Sequence, residues 1–199
     1  GGSFDPPHSG HAHVIETARR HRDRIGKVYA GRNGIIGALT EDLIDTSRES
    51  AKAIAALRYT PAGAFGSCRY KLKGLDESRA QYERLIDVFR AHDIGYFFYN
   101  GGNDSMDTAH KLSQIGELLH YPITCIGVPK TVDNDIIPIR QSLGAWTAAE
   151  QGSRFAQNII AEHSSNPRML IVHEVMGRHC GWLTAATAAE YHRWVGQQE

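Results

Sequence analysis

The chain has 199 residues, enough for one well-packed domain or two small ones. Its 22 Lys and Arg balance its 22 Asp and Glu, and this zero net charge argues against nucleic acid or an anionic membrane as a partner. We expect no membrane span and no signal peptide, because no apolar run approaches the roughly 20 residues that cross a bilayer. Three cysteines without CxxC spacing favour a reducing compartment and therefore the cytoplasm.

The chain opens with a glycine-rich segment, GGSFDPPHSGHAH, that leads into a predicted helix. A glycine turn ahead of a helix directs free N–H groups and the positive end of the helix dipole toward the turn, where they attract phosphate. Gly2 is therefore a candidate phosphate-binding residue, and His8 and His11 could add hydrogen bonds or charge. The alternative is that this opening is only a structural loop or a linker scar.

The next predicted elements are short. We predict a helix at residues 14 to 21, a strand at 27 to 30, a turn at 31 to 34, an irregular stretch at 35 to 39, a weakly helical stretch at 39 to 57 and a loop at 60 to 67. Arg69 and Lys71 follow this loop. They are either phosphate contacts or a solvated pair of cations.

An amphipathic helix is predicted from Ser78 to His92, because its apolar residues recur at helical spacing on one face. That face consists of Tyr82, Leu85, Ile86 and Phe89. The helix leads directly into the first of two strand-end motifs.

The first motif follows a short aromatic run, Tyr96–Tyr99, which predicts a buried strand. Gly101 and Gly102 come next, where the chain must turn sharply, and Ser105 is a candidate cap for the following helix. The start of that helix, beyond the two glycines, predicts a phosphate site. Asp104 would repel phosphate unless a divalent cation lay between them. The helix stripe is Met106, Ala109, Leu112 and Ile115.

The second motif follows the next predicted strand, Ile123–Val128. Lys130 offers a cation and Thr131 a hydroxyl to phosphate oxygens. Asp133 could accept a proton from an attacking hydroxyl, while Asp135 holds or orients metal and water. Ligands bind beyond the carboxyl ends of parallel strands, so both motifs should face one crevice. The alternative for each motif is a plain turn, since Gly, Asn and Asp are common in turns.

The last third of the chain predicts two helices and a third central strand. The helices cover residues 145 to 162 and 181 to 189, and Ser142 is a candidate cap for the first, whose apolar residues are Trp146, Ala149, Phe155 and Ile159. Met169–Val175 is the predicted strand, and it should deliver residues 176 to 178 to the same sheet edge. Strands thus alternate with helices, which predicts an α/β fold with a mainly parallel sheet flanked on both faces.

Four segments together resemble the phosphofructokinase superfamily, specifically its pyrophosphate-dependent branch. They are FGSCR, GGNDSMDTA, PKTVDND and MGRHCGWLTAA, and the resemblance runs from about Val14 to Trp194. It implies a Rossmann-like three-layer sandwich of the N-terminal phosphofructokinase type. It also implies that residues 1–199 form a single donor-binding domain, a fragment of a longer chain that is a homo-oligomer in the full-length family.

The resemblance implies phosphoryl transfer from pyrophosphate to the 1-hydroxyl of fructose 6-phosphate, with Mg²⁺, as in glycolysis. By the match, Asp133 is the base, Asp135 is its neighbour and Thr131 touches the transferring phosphoryl group. Asp104 and Lys130 stand where ATP-using relatives have glycine, which implies a preference for pyrophosphate. The expected contacts of the donor phosphates are Gly2, Arg69, Gly101, Gly102, Asp104 and Ser105. The match further implies a metal site that includes Asn103 and Asp104, and a sugar-phosphate site formed by Met176, Gly177 and Arg178.

Residues 1 to 11 instead resemble the HxGH motif of nucleotidylyltransferases of the nicotinate-nucleotide adenylyltransferase type. This second resemblance implies that His8 and His11 contact nucleotide phosphates, and a composite chain would explain both matches. Three functions are therefore in competition: a pyrophosphate-dependent phosphotransferase, a nucleotidylyltransferase and an inactive phosphate-binding domain.

Overall fold

The computed structural model describes residues 9–60, 63–166 and 168–198, with side chains from residue 13 onward. These residues form two compact units. The first comprises the described residues up to Tyr99 together with Asp107–Gly127, and the second comprises Asn100–Met106 and the described residues from Val128 onward. The predicted single-domain organisation stays a prediction.

The helices of the described chain are α1 (Ser9–Arg20), α2 (Ile35–Thr40), α3 (Ala51–Ala56), α4 (Arg79–Ala91), α5 (Asn103–Leu118), α6 (Ala145–Ser165) and α7 (Trp182–Val195). The strands are β1 (Tyr29–Gly31), β2 (Leu43–Asp45), β3 (Tyr96–Gly101) and β4 (Thr124–Pro129). Short 3-10 turns occupy Thr46–Arg48 and Leu57–Tyr59.

None of the helices described is both long enough and apolar enough to cross a membrane. The three cysteines, Cys68, Cys125 and Cys180, are free thiols.

The core of the first unit is built around α4. The four side chains of its predicted face are at most 2% exposed, which confirms the helix and its orientation. They pack with Ile35 and Ala38 of α2, Leu72, and Leu112 and Ile115 of α5. Burying a side chain of this size stabilises the fold by roughly 1.5–3 kcal/mol. This cluster therefore supplies much of the stability of the unit.

The stretch before α4 differs from the sequence prediction in two places. Residues 35 to 39 were expected to be irregular, but they form α2, because Ile35 and Ala38 are spaced to enter the core together. The stretch from residue 39 to 57 was expected to be weakly helical, and it contains β2, which pairs antiparallel with β1. After β2 the stretch contains α3, which the Ser50 hydroxyl caps by accepting a hydrogen bond from the Ala53 N–H at 3.1 Å.

Strands β3 and β4 lie side by side in a parallel pair. Thr124 N donates to Gly95 O at 2.9 Å and Lys130 N donates to Gly101 O at 2.8 Å, so the bonds advance in the same direction along both chains. Phe97 and Tyr99 pack on the core, but Tyr96 and Phe98 are 52% and 43% exposed. The prediction of a buried strand is therefore confirmed for one face and wrong for the other, because side chains alternate across a strand.

The second unit is organised by α6 packed on α7. Ala149 of α6 and Leu183 and Ala186 of α7 form its buried centre. Small residues on α6 allow this close approach: a Cβ on Gly152 would lie 2.7 Å from Thr187 Oγ1. The α6 helix was predicted correctly, and of its apolar residues Ala149 is buried while Trp146 and Phe155 are 45% and 52% exposed.

Residues 169 to 175 do not form the predicted third strand. They are irregular, and Leu170 and Val172 are 89% and 84% exposed. An apolar run does not by itself supply the neighbouring strand whose N–H and C=O groups would complete a ladder. Only Val175, at the end of the run, packs against the centre of the second unit.

Candidate functional site

The first strand-end motif forms a tight turn between β3 and α5. The strand ends at Gly101 and the helix begins at Asn103, and Gly102 O accepts hydrogen bonds from both Ser105 N at 3.0 Å and Met106 N at 3.1 Å. A Cβ on Gly101 would lie 2.6 Å from Ser105 Cβ, so only glycine fits there. Because α5 begins at Asn103, Ser105 lies inside the helix and is not the predicted cap. It belongs to the first turn of the helix, and its side chain lies over Gly101.

The second motif runs beside the first. Lys130 N donates to Gly101 O at 2.8 Å, and Lys130 O would be 3.9 Å from a Cβ on Gly102. On the other edge of β4, Leu143 N donates to Pro129 O at 2.9 Å. The two motifs are thus joined by backbone hydrogen bonds at adjacent strand ends, as the parallel arrangement predicts.

A second link joins the side chains of the two motifs. Asn103 Nδ2 donates to Asp135 Oδ2 at 3.1 Å. Asp104, one residue further along, is exposed in the first turn of α5, where a carboxylate also complements the helix dipole. This set of carboxylate and amide oxygens is the donor chemistry that Mg²⁺ selects.

The size of this oxygen set also suits Mg²⁺. In the part of the chain that the structure describes, no group of three or more His, Cys, Asp or Glu is arranged to hold a metal ion. Mg²⁺ commonly binds through only one or two carboxylates together with substrate phosphates. Asp104, Asp135 and Asn103 therefore fit a metal that arrives with its phosphate substrate.

Asp133, the predicted base, is held at three of its atoms. Its N–H donates to Thr131 Oγ1 at 3.1 Å, and its Oδ1 accepts a hydrogen bond from Arg178 N at 3.2 Å. Its carbonyl oxygen accepts one from Cys180 Sγ at 3.3 Å. The segment MGRHCGWLTAA, which begins at Met176 and is the third motif, thus meets the second motif through the main chain of Arg178.

Asn134 is a functional candidate that sequence reasoning missed. Its backbone is left-handed, with φ 52°. Its Oδ1 accepts a hydrogen bond from Ser142 N at 2.7 Å, and its Nδ2 donates to Arg140 O at 3.2 Å. These bonds close the loop that follows the two carboxylates. The available signal was an Asn between two Asp residues, because Asn tolerates the left-handed region better than most residues do.

Ser142 donates its N–H to Asn134 in this loop and is not the predicted helix cap. Gly144, with φ 86°, precedes α6, and Ser142 is 1% exposed with its N–H bonded to Asn134. The prediction failed because a Ser shortly before a helix can also be needed by a neighbouring loop.

The structure brings most of the predicted site residues into the second unit and leaves others outside that group. Arg69 belongs to the first unit. Gly2 and His8 lie outside the described residues, and His11 lies in α1 at a position whose side chain is not described. The roles assigned to these residues stay predictions.

Comparison with known proteins gives a consistent result. The family model described as "Phosphofructokinase" matches residues 8–192. The chain is 61% identical over 177 residues to the "Pyrophosphate--fructose 6-phosphate 1-phosphotransferase" of Methylococcus capsulatus, covering 87% of this chain and 42% of that protein. It is 62% identical over 178 residues to the protein of the same name from Halomonas elongata, covering 88% of this chain and 42% of that protein.

Among solved structures, the chain is similar to a pyrophosphate-dependent phosphofructokinase from Nitrosospira multiformis. The TM-score is 0.81 at 52% identity, and the match covers 90% of this chain and 45% of that chain. This likeness confirms the predicted α/β fold of the phosphofructokinase type. The chain spans less than half of the length of the curated relatives that it matches.

Proposed function

The chain belongs to the phosphofructokinase family, and on that premise we propose that it forms the donor-binding part of a phosphotransferase that uses pyrophosphate to phosphorylate fructose 6-phosphate. The observation that carries the proposal is the set of hydrogen bonds joining the three motifs. Gly101 is bonded to Lys130 at 2.8 Å, Asn103 to Asp135 at 3.1 Å, and Asp133 to Arg178 at 3.2 Å. Phosphate-binding, acid–base and sugar-binding residue types therefore occur together within one compact unit.

The proposed reaction is an in-line displacement at phosphorus. The 1-hydroxyl oxygen of fructose 6-phosphate forms a bond to one phosphorus of pyrophosphate, the bond from that phosphorus to the bridging oxygen breaks, and inorganic phosphate leaves. Asp133 accepts the hydroxyl proton. Such transfers depend mainly on positioning and charge neutralisation. The hydrogen bonds that Arg178 N and Cys180 Sγ donate to Asp133 support a role that requires a fixed carboxylate.

The remaining roles follow from the chemistry of each group. The backbone N–H groups at the start of α5 and the Lys130 ammonium stabilise the phosphate oxygens of the donor. Thr131 contacts the transferring phosphoryl group, and its Oγ1 also orders the segment by accepting the Asp133 N–H. Met176, Gly177 and Arg178 hold the sugar phosphate.

Asp104 and Asp135, with the Asn103 amide oxygen, would hold Mg²⁺ bound to the donor phosphates. When bound, Mg²⁺ neutralises the negative charge of the phosphate oxygens. We assign the activity to glycolysis in the cytoplasm and to a homo-oligomer, by resemblance to the full-length family.

Donor choice is attributed to Asp104 and Lys130. A side chain at Asp104 occupies space that the rest of a nucleotide would need, while the Lys130 ammonium satisfies the distal phosphate of pyrophosphate. Replacing both residues by glycine should therefore weaken the preference for pyrophosphate over ATP.

The test is a donor panel. The chain is assayed with pyrophosphate or ATP and Mg²⁺, with and without fructose 6-phosphate or nicotinate mononucleotide, and donor binding is measured by calorimetry. The double variant Asp104→Gly with Lys130→Gly is compared with a control double variant, Glu150→Ala with Arg154→Ala. The control breaks an ion pair of 2.6 Å in α6 and, like the glycine variant, removes one negative and one positive charge.

We expect turnover with pyrophosphate to exceed turnover with ATP, and only the glycine double variant to relax this preference. Equal or better turnover with ATP would overturn the donor assignment. Pyrophosphate binding without turnover would identify an inactive phosphate-binding domain. Dinucleotide formation from ATP and nicotinate mononucleotide would identify a nucleotidylyltransferase.

A further inference from the structure

The turn from Gly177 to Cys180 contacts both the side chain and the main chain of Asp133. Arg178 N donates to the carboxylate Oδ1 at 3.2 Å, and Cys180 Sγ donates to the main-chain oxygen at 3.3 Å. The first bond restrains the side-chain torsions, and the second restrains the peptide that carries the side chain. The two bonds together fix where the carboxylate oxygens lie.

The turn that makes these bonds is compact and has little freedom. A Cβ on Gly177 would lie 2.5 Å from Cys180 O, so the turn closes on itself only with glycine at that position. His179, between the two donors, has a left-handed backbone with φ 53°. The backbone of this turn therefore brings Arg178 N and Cys180 Sγ to the same residue, Asp133.

Both partners of the Cys180 bond are anchored to the same rigid part of the second unit. Cys180 immediately precedes Gly181 and α7, and Leu183 of α7 is 4% exposed. Val132, which precedes Asp133, packs against the same cluster of α6 and α7. The Cys180–Asp133 bond therefore ties the segment after β4 to a packed helix pair.

We propose that Cys180 is a positioning residue for Asp133, holding its peptide so that the carboxylate keeps its bond to the Arg178 N–H. This inference rests on the proposed function, in which Asp133 takes the proton of the sugar hydroxyl. Nothing in that reaction requires Cys180 to touch the substrate. Its role is to reduce the number of carboxylate orientations that must be sampled before transfer.

The test compares Cys180→Ala, which removes the donor, with Cys180→Ser, which retains one. The first readout is the exchange rate of the Arg178 amide hydrogen, followed by NMR on the full chain. Because this amide is bonded to Asp133, we expect exchange to become about three- to tenfold faster in Cys180→Ala and to stay near the parent rate in Cys180→Ser. Asp133→Ala is the reference that shows how fast the Arg178 amide exchanges when its acceptor is absent.

The second readout is kinetic. We expect kcat with pyrophosphate to fall about tenfold in Cys180→Ala with KM for pyrophosphate nearly unchanged, and Cys180→Ser to restore most of it. Cys125→Ala is the matched control. It removes a thiol that packs on the core of the first unit, so it should lower Tm without altering Arg178 exchange.

The outcomes are separable. If Cys180→Ala exchanges at the parent rate, or if it lowers only Tm as Cys125→Ala does, Cys180 has no positioning role. If exchange accelerates as expected while no form of the chain turns over pyrophosphate, the positioning of Asp133 stands and the proposed reaction fails.

Discussion

Asp133 is the proposed base, and its N–H, its carboxylate and its carbonyl oxygen are all hydrogen-bonded. We expect Asp133→Asn to lower kcat by roughly 10²–10⁴-fold, the contribution typical of a general base. The amide retains an oxygen that can accept the Arg178 N–H, now 3.2 Å from the carboxylate, so folding should be spared. Steady-state kinetics with pyrophosphate and a thermal unfolding curve measure both effects. A near-normal rate would remove Asp133 from the role of base, and unfolding would indicate that it is structural.

Asn134 combines a backbone requirement with a side-chain requirement, and two substitutions separate them. Asn134→Gly keeps the left-handed conformation of φ 52° but loses the bonds to Ser142 N and Arg140 O, so we expect a loss of about 1–2 kcal/mol. Asn134→Ala loses the same bonds and adds backbone strain, so its loss should be about 2–3 kcal/mol. Denaturant unfolding gives both values. A glycine variant less stable than the alanine variant would contradict this explanation.

At the level of elements, the α6–α7 contact depends on Gly152 facing Thr187. Thr187 is buried, and its hydroxyl has no hydrogen-bond partner in the described structure. We expect Gly152→Ala alone to destabilise the chain by about 1–3 kcal/mol, because the new Cβ would lie 2.7 Å from that hydroxyl and 3.0 Å from Thr187 Cγ2.

Combining Gly152→Ala with Thr187→Ala should reverse the sign. With the obstructing side chain gone, alanine in the helix interior gains up to about 1 kcal/mol over glycine. The double variant should therefore be more stable than Thr187→Ala alone, as measured in a double-mutant cycle by denaturant unfolding. Additive effects of the two substitutions would show that these side chains do not meet.

Strand β4 carries a pH-sensitive group. Burial raises the pKa of the Cys125 thiol from 9.0 to about 11. Between these pH values the unfolded chain loses the thiol proton while the folded chain keeps it, so stability should be highest below pH 9 and fall as pH rises toward 11. Thermal unfolding from pH 8 to 11 should show a shallower decline in Cys125→Ala than in the parent. Parallel declines in the two proteins would exclude Cys125 as the source.

At the scale of the whole molecule, the opening segment should support phosphate binding without making the chain an adenylyltransferase. We expect His8→Ala combined with His11→Ala to weaken pyrophosphate binding measured by calorimetry, because the two imidazoles could donate hydrogen bonds to phosphate oxygens. His120→Ala with His163→Ala, at positions away from the three motifs, is the control. ATP-dependent dinucleotide formation by the parent, abolished in the His8 and His11 variant, would reverse the ranking of functions.

The sequence predicted those parts of the fold whose signal is local. The face of α4 and the stripe of α5 follow from helical periodicity, and all of Tyr82, Leu85, Leu112 and Ile115 are buried as expected. Gly101 and Gly102, at the end of β3, also mark a turn that needs no distant partner. Short elements such as α2 were missed because a run of six residues carries too little periodicity to separate a helix from a loop.

What the sequence determined by itself, then, was the longer elements with a local signal, such as α4, α5, β3 and β4, and the residue types at the ends of those two strands. Only the tertiary structure decided which groups meet. The bonds that hold Asp133 join residues 45 and 47 positions apart, and no local pattern at Cys180 or Arg178 indicates them. The same reason explains the exposed Leu170 and Val172: an apolar run predicts a strand, but a strand forms only where the folded chain provides a neighbour for its backbone N–H and C=O groups.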